Sequence, residues 1–346
     1  MLRYCAKIIT LLLLMQTVSF AQSVHFSEFR LLPNVLNPAF TGFFEGDVRA
    51  GLVYRNQSPT YGNAFNTLGF GADFSLLKQK LPSSIIGLGL HGYYDRAGSV
   101  RFTDNTLLLN FSYTQVLDKF YKYYLSFGMQ SGYTFRSIDL NAAATEDNFN
   151  GFDGFYSGQV TEPGLLSKNR NFKLGVGMLV FMQPVKRFNF FAGAGAFDLT
   201  KANLSFSKEQ RFEQKQRFTA QFGSEISIKD NFSLLPGFYM QLQKPHEEFV
   251  AGMLFQYKAK YKNNRKREKY AIGIGANYRV NDAVILVTQL HYKLWKFNLS
   301  YDINVSKMRQ LTRSVGAIEL SLVYETDIFK NRVKPAMPIQ CPHVAF

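Results

Sequence analysis

Apolar residues recur at every second position through most of this chain, from Asp47 to about Ile328, in segments of roughly ten residues. In residues 269–279 one parity consists of tyrosine, isoleucine and alanine, whereas the other consists mainly of alanine, glycine, asparagine and arginine. Successive side chains of a β-strand point to opposite faces of the sheet, so a period of two predicts strands rather than helices. Each strand therefore has one face suited to hydrocarbon and one suited to water.

Counting these segments predicts about fourteen strands, and an even number returns both chain ends to one side of a membrane. Lipid offers no partner for an open sheet edge, so a spanning sheet must pair its last strand with its first. The predicted fold is an all-β, transmembrane antiparallel β-barrel over residues 47–328. The predicted strands cover residues 47–56, 66–77, 83–94, 104–117, 121–136, 171–182, 187–199, 215–228, 231–242, 248–259, 269–279, 283–293, 295–304 and 316–327.

A soluble β-sandwich or propeller would show the same alternation, with the apolar parity turned inward. Three features favour the membrane barrel. The chain begins with a secretory signal, the strands follow one another without a helix, and tyrosines such as Tyr270 and Tyr278 stand at both ends of an apolar face, as in aromatic girdles. Although 46% of the residues are hydrophobic, no uncharged apolar run after the first twenty residues approaches the about 18 that a spanning helix needs.

The N-terminus has the pattern of a secretory signal peptide over residues 1–21. Arg3 and Lys7 precede an apolar stretch, and Ala21 is the expected cleavage position. Cleavage removes these two basic residues and no acidic one, so the formal charge changes from +15 to 15 − 2 = +13. Cys5 is also removed, which leaves Cys341 alone. An internal disulfide and any zinc or iron–sulfur site built on cysteine pairs are therefore excluded.

Two segments are predicted to lie outside the strands. The N-terminal arm, 22–46, is rich in Phe and Leu and contains the turn signature Asn37-Pro38 before Gly42, so we expect it to pack inside the barrel or against its periplasmic rim. The C-terminal tail, 329–346, contains three prolines, which exclude a ladder strand. The longest loop, 137–170, is either a functional cap or plug, or simply mobile.

No motif points to catalysis, a cofactor or a metal. The five histidines, His25, His91, His246, His291 and His343, have no metal-ligand spacing between any two. His91 and His291 lie on the polar parity of their strands, so we expect both to be solvated in the lumen. The acidic residues of the long loop, Glu146, Asp147, Asp153 and Glu162, fit no calcium-binding loop. We therefore expect a protein that is not an enzyme.

Two further patterns have structural explanations. Gly-x-Gly pairs lie inside strands rather than before a helix, and they predict relief of crowding on a lumen face that bends or packs against an internal plug. These pairs are Gly87/Gly89, Gly175/Gly177, Gly193/Gly195 and Gly273/Gly275. The basic segment 258–269 is either a solvated loop or a patch for phosphorylated lipid headgroups or an acidic protein partner.

Several short blocks occur in the order typical of one known family. They are residues 22–29, 36–42 (Leu-Asn-Pro-Ala-Phe-Thr-Gly), Tyr54-Arg55-Asn56-Gln57, Tyr278-Arg279 with Asp282-Ala283, 301–306 (Tyr-Asp-Ile-Asn-Val-Ser), 316–322 (Gly-Ala-Ile-Glu-Leu-Ser-Leu) and Cys341-Pro342. Together they resemble the PorP/SprF family of the type IX secretion system over essentially the whole predicted mature chain. The family commonly has tryptophan after the Tyr-Arg-x-Gln stretch, where this chain departs with Ser58-Pro59.

The resemblance implies a non-enzymatic barrel of the cell outer membrane that supports export or cell-surface attachment of a cognate secreted protein, for example a gliding adhesin. The implied partners are type IX secretion components, a secreted surface protein and outer-membrane lipid, but no nucleic acid. Its motif residues are the candidates for partner binding: Asn37, Pro38, Gly42, Tyr54, Arg55, Tyr301, Asp302 and Glu319. The alternative from the residues alone is a diffusion porin or small-molecule transporter, in which the basic balance would favour anions.

Overall fold

The computed structural model describes residues 33–57, 65–76, 83–98, 101–139, 149–150, 155–156, 166–259, 270–306, 309 and 314–328. Fourteen of the strands form one closed antiparallel barrel, and β6 and β7 form a separate two-stranded sheet. The predicted all-β barrel of about fourteen strands is confirmed. The strands are β1 (Val48–Gln57), β2 (Phe65–Leu76), β3 (Ser84–Ala97), β4 (Phe102–Val116), β5 (Tyr123–Ser137), β6 (Phe149–Asn150), β7 (Phe155–Tyr156), β8 (Lys168–Val185), β9 (Phe188–Phe197), β10 (Arg217–Lys229), β11 (Phe232–Gln243), β12 (His246–Ala259), β13 (Tyr270–Arg279), β14 (Ala283–Tyr292), β15 (Trp295–Asn304) and β16 (Val315–Thr326).

The barrel closes through antiparallel pairing of β1 with β16, in which Val48 lies opposite Thr326 and Leu52 opposite Leu322. This pairing removes both sheet edges, as lipid requires. Because β1 begins and β16 ends at the same end of the barrel, we name that end the terminal rim and the other end the distal rim. Within the described residues, no helix has both the length and the apolarity that crossing a membrane requires.

The two parities of each strand have opposite environments. Leu109 on β4 is 64% exposed, whereas its neighbours Leu108 and Asn110 are 4% and 3% exposed. In a soluble sandwich or propeller the large apolar side chains would be buried and the polar ones exposed. Here the apolar parity faces outward and the polar parity faces the lumen, as in transmembrane barrels. This inversion excludes the soluble alternative.

Strand order also settles the sidedness of the connections after residue 242. The turn 244–245 joins β11 to β12 at the distal rim, and 280–282 joins β13 to β14 at the same rim. The connections 186–187, 230–231 and 293–294 are at the terminal rim. The long connection 198–216 and the β5–β8 connection, which contains β6 and β7, are distal. The two longest connections of the barrel are thus distal, as the external loops of outer-membrane barrels are, although the distal rim also has short turns.

A short segment before β1 begins with helix α1 (Pro33–Leu36) and continues as a 3-10 helix, Pro38–Phe40. Asn37 caps the 3-10 helix because its side-chain oxygen accepts a hydrogen bond from the Ala39 amide. Pro38 occupies the first helical position, where its missing N–H costs no hydrogen bond. The predicted signal peptide 1–21, arm residues 22–32, His25, His343, the acidic loop residues, residues 260–269 and the tail 329–346 with Cys341 lie outside the described residues.

Candidate functional site

Residues 33–46, here called the N-terminal segment, lie inside the lumen. The Ser126 hydroxyl of β5 donates to the Ala39 carbonyl at 2.7 Å, and the Ser112 hydroxyl of β4 donates to the Thr41 carbonyl at 2.5 Å. On the other side of the segment, Thr219 of β10 donates to the Leu36 carbonyl at 3.2 Å. The prediction that the arm packs inside the barrel or at its rim is confirmed for these residues.

Asn37 connects the N-terminal segment to two further strands. Its amide nitrogen donates to the Met178 carbonyl of β8 at 2.9 Å and to the Ala194 carbonyl of β9 at 3.1 Å. Its amide oxygen accepts from the Ala39 amide at 2.9 Å. The side chain is fully buried, so these bonds are formed away from water, where an unsatisfied amide would be costly. This family-motif candidate therefore has a structural role in holding the segment.

Glycines on the lumen face make room for the N-terminal segment. A Cβ added at Gly128 or Gly177 would lie less than 3.0 Å from atoms of Asn37, Pro38 or Ala39, closer than real Cβ contacts. A Cβ at Gly87 would meet the Thr41 carbonyl equally closely. The prediction that lumen glycines relieve crowding against an internal plug is confirmed at Gly87, Gly177 and Gly193. Gly89 also faces the segment, at the Thr41 side chain, whereas Gly175, Gly195 and Gly273 face side chains of the barrel and Gly275 faces the backbone of β12.

Gly42 of the N-terminal segment contacts a buried ion pair. Its φ of +68° favours glycine, and its amide donates to the Asp73 carboxylate at 2.8 Å. Arg49 binds the same carboxylate through two hydrogen bonds of 2.9 and 2.8 Å, and it also donates to the Phe40 carbonyl at 3.4 Å. Arg49 and Asp73 are in register on β1 and β2, facing the lumen. The sequence analysis did not identify this pair. The available indication was that opposite charges lie on the polar faces of two consecutive strands.

Aromatic rings form an apolar core within the lumen. The ring of Phe40 lies 5.5 Å from that of Phe191, and Phe43 lies 5.6 Å from Tyr124 and 5.9 Å from Phe181. These contacts are edge-to-face, the arrangement that aromatic pairs favour. Phe40 and Phe43 are thus buried against barrel strands, which explains part of the phenylalanine content of the arm.

A second polar site, the distal charge cluster, lies in the lumen toward the distal rim. Arg55 of β1 contacts Asp302 at 3.2 Å and Glu319 at 3.3 Å. All three side chains are almost wholly buried, so removal of one partner would leave an uncompensated charge. The cluster continues through Arg279, which lies 3.3 Å from Asp302 and also pairs with Glu248 and Asp282. The structure thus brings three family-motif candidates together from β1, β15 and β16.

Tyr54 and Tyr301 do not join this cluster, because they occupy the other parity of their strands. Tyr54 is exposed on the outer face, where its hydroxyl donates to the Asn66 side chain at 3.1 Å. Tyr301 is half-buried and faces outward beside Ile318 of β16. The motif residues are therefore divided between the lumen and the membrane face, and Asn37, Pro38 and Gly42 lie apart in the N-terminal segment.

Two predictions about lumen residues are corrected by the structure. His91 is buried rather than solvated, and its Nδ1 lies 2.6 Å from the Asn110 amide nitrogen. Strands β3 and β4 place these two side chains together inside the lumen, where the ring is only 2% exposed. Lys258 does not belong to a surface patch, because its ammonium lies 2.6 Å from the buried Glu225 carboxylate. Further buried pairs are Asp104–Arg136 and Lys173–Asp198.

Within the part of the chain that the structure describes, no group of three or more histidine, cysteine, aspartate or glutamate side chains could hold a metal ion. The described part of the lumen contains paired charges and an enclosed segment of the chain.

Solved barrels with the same general architecture have little sequence in common with this chain. The toluene transporter TbuX of Ralstonia pickettii is 12% identical with a TM-score of 0.48, and 84% of this chain covers 92% of that chain. The P. putida toluene transporter TodX is 13% identical with a TM-score of 0.46, over 85% and 93% of the two chains. CdiB from Escherichia coli is 8% identical with a TM-score of 0.45, over 81% and 63%. No curated protein matches the chain in sequence.

One family matches over most of the length. The family described as "Type IX secretion system membrane protein PorP/SprF" matches residues 18–324. A closed barrel with an apolar outer face is the form that membrane proteins take in the bacterial outer membrane. The chain therefore belongs to the PorP/SprF family of type IX secretion system membrane proteins and is a secretion-associated barrel of the outer membrane.

Proposed function

We propose that this barrel is non-enzymatic and supports export or cell-surface attachment of a cognate secreted protein, such as a gliding adhesin. Family membership supports a role with type IX secretion components. The observation that carries the proposal is the filled lumen, because the N-terminal segment is hydrogen-bonded inside the barrel rather than leaving a passage. A barrel closed by its own chain acts on a partner through its rims and outer face.

The filled lumen also favours a barrel that binds a partner protein over a porin through which small molecules diffuse. The N-terminal segment contacts β1, β2, β3, β4, β5, β8, β9 and β10, which are eight of the fourteen barrel strands. On other strands, lumen-facing polar side chains are almost wholly buried too. Examples are Gln256, Asn277, Gln289, Ser300 and Glu319. An open porin exposes its lumen side chains to water, so this burial argues against the porin alternative.

The rims give the proposed partners different surfaces. The terminal rim presents exposed basic side chains at its turns, which suit an acidic periplasmic component of the secretion machinery. They include Lys119, Lys122, Lys186, Lys229 and Lys293. The distal rim carries the long connection 198–216, which lies on the side where a surface-attached protein would be held. The secreted protein itself and its contact residues are left to experiment.

Deletion of the gene tests the proposal. Surface proteins of the deletion strain are released by protease treatment of whole cells and identified by mass spectrometry. We expect one or a few large surface proteins to be missing while other type IX cargo is displayed normally, and the wild-type gene to restore them. Normal display of every cargo would contradict the proposal. Planar-bilayer recording of the purified protein adds a second test, because steady open conductance would support the porin instead.

A further inference from the structure

The outer face of the barrel carries a one-sided group of cations near the distal rim. Arg96 lies near the end of β3, and Lys168 and Arg170 lie at the start of β8. All three side chains are exposed. We call these three residues the distal cationic patch.

Strand register places the patch in two rows across β3, β4, β5 and β8. In the upper row Arg96 lies opposite Thr103, Thr103 opposite Ser137, and Ser137 opposite Lys168. The lower row lies two residues further from the rim. There Tyr94 lies opposite Asn105, Asn105 opposite Phe135, and Phe135 opposite Arg170. Neighbouring strands are about 4.8 Å apart, so the backbones of Arg96 and Lys168 are about 14 Å apart. Long side chains can therefore converge on one ligand between them.

The three cations of the patch are available to bind an anion. Among the described residues, Arg96, Lys168 and Arg170 take part in none of the ion pairs that the structure shows. The nearby Arg101 is different, because it pairs with Asp139 at 3.4 Å. The Arg170 guanidinium lies over the Tyr133 ring at 4.3 Å, a cation–π contact that orients the group while leaving its N–H donors at the ring edge for an anion.

Below the patch, the membrane face is aromatic and apolar. Tyr133 and Phe172 pack edge to face at 5.3 Å, and Leu107 is exposed beside them. A ligand bound by the cations would therefore have a surface for hydrocarbon chains directly beneath its polar group.

The remainder of the distal rim lacks this arrangement. At the corresponding outer positions, β11 and β12 present Leu242 and Glu247, and β13, β14 and β15 present Tyr278, Val284 and Ile303. Other exposed basic side chains at this rim, such as Lys201, Lys208 and Lys215, lie on the connection 198–216 rather than on a strand, so among the strands compared the outward cations lie on β3 and β8. Arginine and lysine that merely extend to the membrane surface would have no reason to collect on one side.

The distal rim lies away from both ends of the barrel chain and carries the long connections, which identifies it as the external side. Phosphate is the anion that arginine binds most strongly, through paired charge-assisted hydrogen bonds. We propose that the distal cationic patch binds the phosphorylated headgroup of an outer-leaflet lipid, with the acyl chains lying on the aromatic surface around Tyr133 and Phe172. This site is independent of the secretion role and would anchor one side of the barrel to the outer leaflet.

Binding of diphosphorylated lipid A to the full mature protein in detergent tests the site, with affinity measured by native mass spectrometry. Dephosphorylated lipid A and inorganic phosphate are the comparison probes. The test variant carries R96Q, K168Q and R170Q. The control variant carries K119Q, K122Q and K186Q, which removes the same charge from the terminal rim. Folding of each variant is checked by the shift in gel mobility between heated and unheated samples.

We expect the phosphorylated lipid to bind about tenfold more tightly than the dephosphorylated lipid, and the test variant to lose about that factor, because two or three charge-assisted hydrogen bonds are removed. The control variant should keep wild-type affinity. Equal affinity for both lipids, unchanged affinity in the test variant, or equal loss in the control variant would overturn the proposal. So would inorganic phosphate binding as tightly as the lipid. If the test variant does not fold, the single variants R96Q and K168Q are compared with the wild type instead. Each should bind the phosphorylated lipid about threefold more weakly.

Discussion

Gly128 is the position at which a single methyl group would test whether the N-terminal segment belongs in the lumen. It lies on β5 with its lumen face against the backbone of Pro38 and Ala39. In G128A the added Cβ would lie 2.5 Å from the Pro38 carbonyl oxygen and closer still to two further backbone atoms. Backbone cannot rotate aside as a flexible side chain can, so the segment or the strand must move by about 1 Å to restore an ordinary contact.

The loss of stability in G128A arises from the contacts that this movement disrupts. Overpacking of a well-filled interior costs about 1–3 kcal/mol. The hydrogen bond from Ser126 to the Ala39 carbonyl, 2.7 Å long, would be stretched at the same point and adds about 1 kcal/mol. We therefore expect G128A to lower the free energy of unfolding by about 2–4 kcal/mol.

Urea unfolding in lipid vesicles measures this change, with the fluorescence of the single tryptophan, Trp295, as the reporter. The matched control is G273A. A Cβ at Gly273 meets first the end of the Leu254 side chain at 3.0 Å, which can shift, and not the N-terminal segment. The control should therefore lose less than about 1 kcal/mol.

A second measurement connects the same variant to the lumen. If the methyl group displaces the N-terminal segment, G128A should show conductance steps in planar bilayers that the wild type and G273A lack. Equal stability of G128A and G273A would refute the packing of the segment against β5. A large loss of stability in both variants would show that lumen glycines are needed for packing of the strands against one another rather than for packing of the N-terminal segment.

The remaining predictions concern charges and the cap. D73N should lower the free energy of unfolding by about 3–5 kcal/mol, because it leaves Arg49 buried without its carboxylate, and urea titration would show this. R55Q should cost a similar amount in the same assay, whereas R101Q, which removes an exposed pair, should cost less than about 1 kcal/mol. N37A should raise the rate of proteolytic cleavage before β1, because it removes two bonds to strand carbonyls. Equal effects of R55Q and R101Q would contradict the buried cluster.

The strands could be predicted from the sequence because alternation is a local property. The predicted segments 121–136 and 231–242 correspond to Tyr123–Ser137 and Phe232–Gln243. The largest difference is at β8, which was expected over 171–182 but extends from Lys168 to Val185. Its first residues, Lys168 and Arg170, lie beyond the apolar part of the membrane face. There both parities are polar, and the alternation that identifies a strand disappears.

The charge pairs of the lumen could not be predicted, because they depend on which strand lies beside which. Nothing local connects Arg55 with Asp302, which is 247 residues away. Lys258 is a different case, because a local signal existed. It shares the inward parity of β12 with Leu254 and Gln256, so strand parity placed it in the lumen, whereas the neighbouring run of basic residues suggested a surface patch. Parity is the better guide wherever a charge lies within a strand.

The distal charge cluster also bears on how the barrel closes. Arg55 and Glu319 lie directly opposite each other across the β1–β16 seam, the only barrel pairing between strands far apart in sequence. A slip of one residue at this seam would turn Arg55 toward lipid near the distal rim, where a cation costs up to about 1 kcal/mol. The same slip would leave Glu319 buried without Arg55, which costs about 3–5 kcal/mol more, whereas Asp302 would keep its contact with Arg279. The slip would also exchange the apolar and polar faces at the seam, so the buried charges and the membrane face select the same register for closure of the barrel.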